Sequence, residues 1–294
     1  MEQTANIGTA GWSYKDWINS FYYSAATKEY DWLKFYSEYF NTVEVNSTYY
    51  TYVKADIVKG WIDKVNNNPN FIFNIKLNQD FTHKRVYNLT QIKFFEYNLD
   101  LLNREEKFGA LLMQFPYSFG FNNANVNYLN KLFEVFQLYE KVLEVRHNSW
   151  NNKDAIQFLA ESNVSFCAVD QPKIGNSISL IPAITGNILY LRCHGRNVEG
   201  WKESIGNFGK AQTYGEQNER YNYLYLPGEI TEIENRIREV YDKVKKVFII
   251  LNNHPTGNAV ANAFEFMYLL NNRTKIKIPE TTIRTFPRLE KIRA

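Results

Sequence analysis

The stretch of residues 142–150, VLEVRHNSW, carries charged side chains at the end of an apolar run. The run is typical of a buried strand, and it ends in Glu144, Arg146 and His147. Side chains alternate between the two faces of a strand, so Glu144 and Arg146 share one face and His147 lies on the other. Burying a carboxylate and a guanidinium is costly unless they have a partner or a purpose. The stretch therefore predicts a polar site where this strand ends.

Apart from the first, the other apolar runs that read as strands also end in polar side chains on one face. Core packing would instead select Val, Ile and Leu at these positions. In the run 247–253 the alternation leaves open whether Asn252 or Asn253 points inward. The candidates on the remaining strands are Glu44, Asn46, Asn74, Lys76, Gln114, Asp170, Arg192 and His194.

This ring of side chains is suited to binding and turning over a small polar molecule. We expect Glu144 or Glu44 to act as a general base, His194 as the acid, and Arg146 and Arg192 to stabilise charge. The segments after the last two strands are where many barrels bind phosphate. Here they supply Arg192, His194, Arg196 and Asn253.

Two other interpretations of the ring remain open. The three carboxylates and three fixed cations could simply pair with one another, because a buried charge needs a partner. A site for Mn²⁺ or Mg²⁺ built from Glu44, Glu144, Asp170 and His194 is conceivable. The three adjacent cations, Lys76, Arg146 and Arg192, argue against a metal site, so no cofactor is predicted.

Eight apolar strand patterns follow one another, nearly all separated by helical patterns, and this alternation predicts an α/β fold with a parallel sheet. The count and the chain length match a single TIM-like (β/α)₈ barrel with outer helices. An open doubly wound sheet is the alternative, but no strand is followed by a Gly-x-Gly-x-x-Gly turn. The link 171–187 reads as irregular rather than helical. We expect one barrel domain over residues 1–274.

The segment 195–228 is too long for a plain connection after the seventh strand. It carries Trp201 and Phe208 among glycines and four tyrosines. Long loops in compact domains are usually lids or disordered, and these aromatic residues favour an ordered lid.

The chain of 294 residues has a net charge of +3, which is too small to indicate nucleic-acid binding by itself. Residues 275–294 hold six Lys/Arg and two Asp/Glu, so we expect a basic, solvated C-terminal tail. Cys167 and Cys193 form no Cys-x-x-Cys pair, which excludes a zinc ribbon or a thioredoxin-like site. Each lies in an apolar run, and two buried thiols without a disulfide framework indicate a reducing compartment. The start of the chain lacks a secretory-leader pattern and no apolar run is long enough to span a membrane. A cytoplasmic protein without membrane contact is expected.

Eight phrases in order resemble the YecE-like family, also called domain of unknown function 72: GTAGWSYKDW, FNTVEVNSTYY, FNIKLNQDFTH, LLMQFP, LEVRHNSW, AVDQP, YLRCHGR and FIILNNHPTGNAVANA. The resemblance covers about residues 7–270 and leaves the last 20 residues outside. It implies a TIM-like barrel with a polar cleft at the C-terminal strand ends, and no established activity. The positions that the resemblance assigns to the cleft are Glu44, Asn46, Thr48, Lys76, His83, Gln114, Glu144, Arg146, Trp150, Asp170, Arg192, His194, Gly195, Arg196 and Asn253.

Three functional hypotheses follow. The first is an enzyme acting on a small polar substrate that is anionic, phosphorylated or sugar-like. The second is nucleic-acid binding or processing, in which aromatic loops would stack on bases. The third is a small-ligand binder that uses the same pocket without catalysis.

Overall fold

Eight parallel strands form a closed barrel in which each strand pairs with the next and the last pairs with the first. The computed structural model describes residues 5–24, 31–207, 210 and 213–294. The barrel confirms the predicted fold class. The strands are β1 (Ala5–Ala10), β2 (Thr42–Val45), β3 (Ile72–Lys76), β4 (Phe108–Gln114), β5 (Lys141–Glu144), β6 (Ser165–Asp170), β7 (Ile188–Cys193) and β8 (Lys246–Leu251).

Alternation along the strands divides their side chains between the barrel interior and the surrounding helices. The interior is filled by a separate apolar cluster that includes Leu112, Val142, Tyr190 and Phe248. The opposite face of each strand contributes to a larger core shared with the helices. Both faces are therefore buried, which is why the strands read as nearly continuous apolar runs.

Helices connect most of the strands on the outside of the barrel. Several of these helices bury one apolar face. In the helix Ala55–Lys64, for example, Val58, Trp61 and Ile62 are buried. The helices are α1 (Trp32–Ser37), α2 (Ser47–Tyr50), α3 (Ala55–Lys64), α4 (Leu89–Arg104), α5 (Asn123–Val135), α6 (Lys153–Glu161), α7 (Val198–Gly206), α8 (Tyr214–Asn218), α9 (Pro227–Tyr241), α10 (Asn258–Leu270) and α11 (Glu280–Thr285). Among the described residues, no helix has the length and apolar character needed to cross a membrane.

Two predicted connections can be compared with the structure. Residues 171–187 contain no helix, as their sequence indicated. Residues 195–228, predicted to form an ordered lid, contain α7, α8 and a 3₁₀ turn at Glu219–Tyr221. Phe208, one of the aromatic residues behind that prediction, lies outside the described residues.

The C-terminal segment does not behave as the solvated tail that its charge suggested. It forms α11 and a 3₁₀ turn at Pro287–Ile292, and Phe286 and Leu289 are buried in the helix-side core. Arg288 donates to the backbone oxygen of Tyr225 at 2.7 Å and to the Glu265 carboxylate at 2.8 Å. The prediction was wrong because net charge says nothing about the apolar residues that alternate with the basic ones.

Candidate functional site

Arg192 lies between two buried carboxylates at the C-terminal end of the barrel. Its Nη2 is 2.6 Å from Glu44 Oε1 and its Nη1 is 2.5 Å from Glu144 Oε2. The second oxygen of Glu44 accepts a hydrogen bond from the Tyr190 hydroxyl at 2.9 Å. All four side chains are essentially excluded from solvent. Three strands, β2, β5 and β7, are thus joined across the barrel by one guanidinium whose planar fork matches the carboxylates.

Arg146 extends this arrangement toward the surface. Its Nη2 lies 2.5 Å from Glu144 Oε1, and its Nη1 donates to Gln171 Oε1. Its guanidinium stands 5.8 Å from the centre of the Trp201 ring, which belongs to α7. Burial alone would raise the pKa of the Glu144 carboxyl, but Arg146 and Arg192 hold that pKa well below its usual range. Glu144 is therefore a fixed carboxylate at neutral pH.

His194 is neutral and lies against the two guanidiniums. Its Nε2 is 2.9 Å from Arg146 Nη2 and 3.5 Å from Arg192 Nη1. Nε2 also lies 3.5 Å from Glu144 Oε1, so two guanidiniums and a carboxylate face the same ring nitrogen. Nδ1 is 2.8 Å from Nδ2 of the Asn252 side-chain amide. Burial, followed by Arg146 and Arg192, lowers the pKa of His194 well below its usual range.

Lys76, at the end of β3, is the cation in this region without a carboxylate partner. Its Nζ stands 4.3 Å from the centre of the Tyr49 ring. Within the described parts of the chain, no carboxylate lies within ion-pair distance of this ammonium. Burial and the charge of Arg192 lower the pKa of Lys76 to about 7, and Glu144 and Glu44 oppose that shift only in part. The amine is therefore close to half protonated at neutral pH.

The comparisons with known proteins assign the chain to a family. The family model described as protein of unknown function DUF72 matches residues 6–285. The chain belongs to the DUF72 family. The match confirms the resemblance and extends it to residue 285, into the C-terminal segment that the sequence phrases had left outside.

Other proteins similar to this DUF72 chain span nearly its whole length. UPF0759 protein YunF of Bacillus subtilis is 27% identical over 277 residues, covering 90% of this chain and 94% of its own. The crystal structure of a DUF72 family protein from Thermotoga maritima is similar with a TM-score of 0.79 and 30% identity, covering 92% of this chain and 100% of that one. A DUF72 family protein from Enterococcus faecalis has a TM-score of 0.77 and 27% identity, with coverages of 91% and 96%.

Five of the predicted site residues of this DUF72 protein lie in one cluster, which we call the charged cluster: Glu44, Glu144, Arg146, Arg192 and His194. Lys76 borders it, since its pKa responds to the charges of both arginines and both glutamates. The structure therefore brings together the side chains that alternation assigned to one face of β2, β3, β5 and β7.

Asp170 and Arg196 form a second group. The Asp170 carboxylate accepts three bonds from Arg196, at 2.8, 3.0 and 3.2 Å, and one from the Tyr225 hydroxyl at 2.6 Å. Arg196 also lies 3.2 Å from Glu229 Oε1 at the start of α9. These contacts hold the segment after β7 against the barrel, so they account for both charges without a ligand.

Four other predicted residues have different surroundings. Asn253 donates to Tyr223 O and Asn262 Oδ1, both at 2.8 Å, and is fully buried. Trp150 is also fully buried and donates its indole N–H to a backbone oxygen. The Gln114 amide donates to the carbonyl of the next residue. The Oδ1 atoms of both Asn46 and Asn253 are buried without a hydrogen-bond partner among the described residues, and Asn46 is the one beside the charged cluster.

Sequence reasoning missed several residues that complete the site. Tyr190 lies two positions before Arg192 on the same strand face, so alternation could have found it. Asn252, left undecided against Asn253, is the asparagine that contacts His194. Trp201 and Tyr221 come from the long segment after β7, and Tyr221 stands 5.9 Å from His194 between ring centres. No strand pattern could have assigned the last two to the mouth.

The remaining histidines differ in surroundings. His254 is buried and stacks on Tyr14 at 4.5 Å, and burial lowers its pKa to about 4. His83 contacts the edge of Tyr49, and burial and Lys76 lower its pKa to about 4. His147 accepts a hydrogen bond from the backbone N–H of Ser149, which is a structural role.

The four residues considered for a divalent metal are engaged by other groups. Arg192 bridges Glu44 and Glu144, Arg196 binds Asp170, and His194 faces a guanidinium and an amide. Within the described residues, no group of three or more His, Cys, Asp or Glu side chains has an arrangement suited to a metal ion.

Proposed function

We propose that this DUF72 protein is an enzyme that acts on a small anionic substrate at the C-terminal mouth of the barrel. The observation that carries the proposal is the charge balance of the mouth. Arg192 and Arg146 are matched by Glu44 and Glu144, whereas Lys76 has no carboxylate partner among the described residues. An anionic group of a substrate would supply the missing counter-charge.

Unpaired polar atoms near this charge support a ligand rather than a purely structural cluster. Val45 pairs with Ile75, and this register makes Asn46 and Lys76 the next residues along neighbouring strands. The buried Oδ1 of Asn46 has no partner among the described residues, so it is free to accept a hydrogen bond from a substrate hydroxyl. The buried indole N–H of Trp201, beside Arg146, also has no acceptor in the part of the chain that the structure describes. Buried polar atoms without partners are uncommon, and a ligand would satisfy both.

The roles expected from the sequence change once the surroundings of each group are considered. Glu144 is held between two guanidiniums with a lowered pKa, which makes it a weak base. His194 is neutral because burial, Arg146 and Arg192 lower its pKa well below its usual range, which makes it a poor acid. In our proposal Glu44, Arg192 and Glu144 hold the site in position, and Lys76, with a pKa of about 7, is the group that exchanges a proton.

The proposal predicts that anion binding depends on pH through Lys76. Below pH 7 the free site carries the ammonium, and above about pH 7 it loses that proton. A bound anion favours the protonated form and raises the pKa of Lys76, so binding takes up a proton. Affinity should therefore be highest below about pH 7 and should decrease as the pH rises through that value.

Calorimetric titration with inorganic phosphate and a panel of small carboxylates and phosphorylated sugars tests the proposal. We expect at least one anion to bind, with affinity reduced at least tenfold in Lys76→Met. Lys291→Met, which removes an exposed lysine, is the matched control and should bind as the wild type does. Absence of binding across the panel, or equal affinity in Lys76→Met, would contradict the anionic site.

The enzyme and the non-catalytic binder differ in one measurement. The anion that binds most tightly is incubated with the wild-type chain and with Lys76→Met, and the solution is followed by mass spectrometry. Conversion by the wild type alone supports the enzyme. Tight binding without conversion would leave a ligand-binding protein and overturn the catalytic part of the proposal.

A further inference from the structure

Among the described residues, three lysines have lowered pKa values, and Lys76 differs from the other two in its surroundings. Lys107 Nζ donates to the backbone oxygens of Asn68 and Pro69 at 3.1 and 2.7 Å. Lys141 Nζ donates to those of Phe136 and Tyr139 at 3.3 and 3.0 Å. Burial lowers the pKa of each. These two ammonium groups are held by carbonyl dipoles, as buried ammonium groups in stable structures should be.

Lys76 has no such acceptors within the described residues, and it lies at the opposite end of the strands. Lys107 precedes β4 and Lys141 begins β5, whereas Lys76 is the last residue of β3. The Tyr49 ring is the contact described for its ammonium. The C-terminal end is where barrels of this kind carry out chemistry, and the N-terminal end contributes stability.

The charges facing Lys76 favour the neutral amine over a permanent ion pair. Arg192 and Arg146 disfavour the ammonium, and Glu44 and Glu144 are held by those same guanidiniums. A desolvated lysine beside other cations is the usual way in which proteins make an amine nucleophilic near neutral pH. His83 is also influenced by this charge, but its own pKa of about 4 leaves it uncharged and unable to act as a counter-ion.

We propose that the Lys76 amine forms an imine with a carbonyl group of the substrate. The inference rests on the anionic site proposed above and narrows its substrate class to small aldehydes or ketones that carry an acidic group. The Tyr49 ring beneath Nζ would stabilise the cationic forms of the nitrogen through its π face.

Imine formation needs no reactant other than the amine and the carbonyl compound, and it releases one molecule of water. The Nζ lone pair forms a bond to the carbonyl carbon as the carbon–oxygen π bond breaks, and proton transfer from nitrogen to oxygen gives a carbinolamine. Loss of the hydroxyl group as water then gives the imine, which takes a proton to become an iminium ion. The iminium keeps the single positive charge that the acidic group of the substrate needs, so covalent reaction and anion binding are compatible at this site.

Reductive trapping tests the inference on the intact chain. The protein is incubated at pH 7 with glyoxylate, an anionic aldehyde, and sodium cyanoborohydride, and the sites of addition are mapped by peptide mass spectrometry. We expect Lys76 to be modified at least tenfold faster than the exposed Lys291. Lys107 and Lys141 are internal controls for burial and should stay unmodified, because their ammonium groups are held by carbonyls. Lys76→Arg, which keeps the charge but cannot form an imine, should lose the rapid phase.

Further arms separate failure of the imine from failure of the anionic site. If glyoxylate and the neutral glycolaldehyde modify Lys76 at equal rates, imine formation is supported but the anionic substrate class is contradicted. Modification no faster than at Lys291, while phosphate or a carboxylate still binds in a Lys76-dependent way, would overturn the imine and leave the anionic site standing. Rapid modification of the Lys76→Arg chain at another residue would also overturn the assignment.

Discussion

Lysines at different positions in this barrel have opposite expected effects on stability. The ammonium of Lys141 satisfies two backbone oxygens, whereas that of Lys76 has Tyr49 as its described contact. A partly buried charge that no described residue neutralises lowers stability, and such a cost is usually retained where function requires it. The difference can be measured by replacing each lysine with an apolar residue of similar length.

We expect Lys76→Met to raise the free energy of unfolding at pH 7 by ~1–3 kcal/mol, because it removes a desolvated cation. Lys141→Met should lower it by ~1–3 kcal/mol, because two buried carbonyls lose their donor. Urea unfolding followed by circular dichroism measures both. The gain from Lys76→Met should shrink as the pH rises above about 7, since the folded wild type then carries a neutral amine while the unfolded chain stays protonated. Destabilisation by both variants would contradict this account.

Among the side chains of the charged cluster, Arg192 should contribute most to the free energy of unfolding. Arg192→Met leaves Glu44 and Glu144 buried without their shared partner and should cost ~3–5 kcal/mol of unfolding free energy. The triple variant Glu44→Gln, Glu144→Gln, Arg192→Met should recover a large part of that loss. Arg284→Met, which removes an exposed ion pair with Glu280, is the control and should change stability by less than ~1 kcal/mol. A triple variant less stable than Arg192→Met would contradict the pairing.

Alternation along the strands was sufficient to predict the charged cluster but not the partners of each side chain. Glu44, Glu144 and Arg192 share a face by period, and the structure brings them together. Asp170 obeys the same pattern and yet binds Arg196. A face is a local property of one strand, whereas a partner depends on side chains from distant segments, and for this reason the sequence could not separate the two groups.

At the scale of elements, the segment after β7 decides how the mouth is covered. It begins at Gly195, whose φ is +85°, and a Cβ there would lie 2.7 Å from Tyr223 Cβ. The chain turns sharply at this point and leads into α7, which carries Trp201 toward Arg146. Its length and aromatic content predicted an ordered lid, and the described residues include two helices. Its contacts with the charged cluster could not be predicted, because they depend on how those helices lie over the barrel.

Gly195→Ala should destabilise the protein by ~1–3 kcal/mol. Alanine is strained in the left-handed backbone conformation of this position, and its Cβ would clash with Tyr223. Gly206→Ala, at the end of α7, has open space around the new Cβ and should leave stability unchanged or raise it by up to ~1 kcal/mol. Thermal unfolding compares the two variants. Equal stability of Gly195→Ala and the wild type would show that this turn is not constrained as described.

At the scale of the whole molecule, the eightfold alternation of strands and helices was enough to predict a closed barrel. The pattern works because both faces of every strand are buried and each connection returns to the same end. The C-terminal segment was misjudged because its charge was weighed without its apolar residues. Ile283, Phe286 and Leu289 belong to the same core as the helices, so this segment packs as part of the layer outside the barrel.

Leu289→Ala should therefore lower the free energy of unfolding by ~2–5 kcal/mol, as expected for a fully buried leucine. The neighbouring Lys291→Ala removes an exposed basic residue and should change stability by less than ~0.5 kcal/mol. Urea unfolding of both variants makes the comparison. A negligible effect of Leu289→Ala would restore the view of a solvated basic tail.

The protonation state of Lys76 tests the central claim most directly. Lysine labelled with carbon-13 at the ε position is incorporated into the wild type and into Lys76→Arg, and the spectra are recorded as a function of pH. We expect one resonance, absent from the variant, to titrate at about 7 and to shift to higher pH when an anion is bound. If that resonance titrates with the exposed lysines near their ordinary value, Lys76 is a solvated surface charge and the proposed anionic site loses its basis.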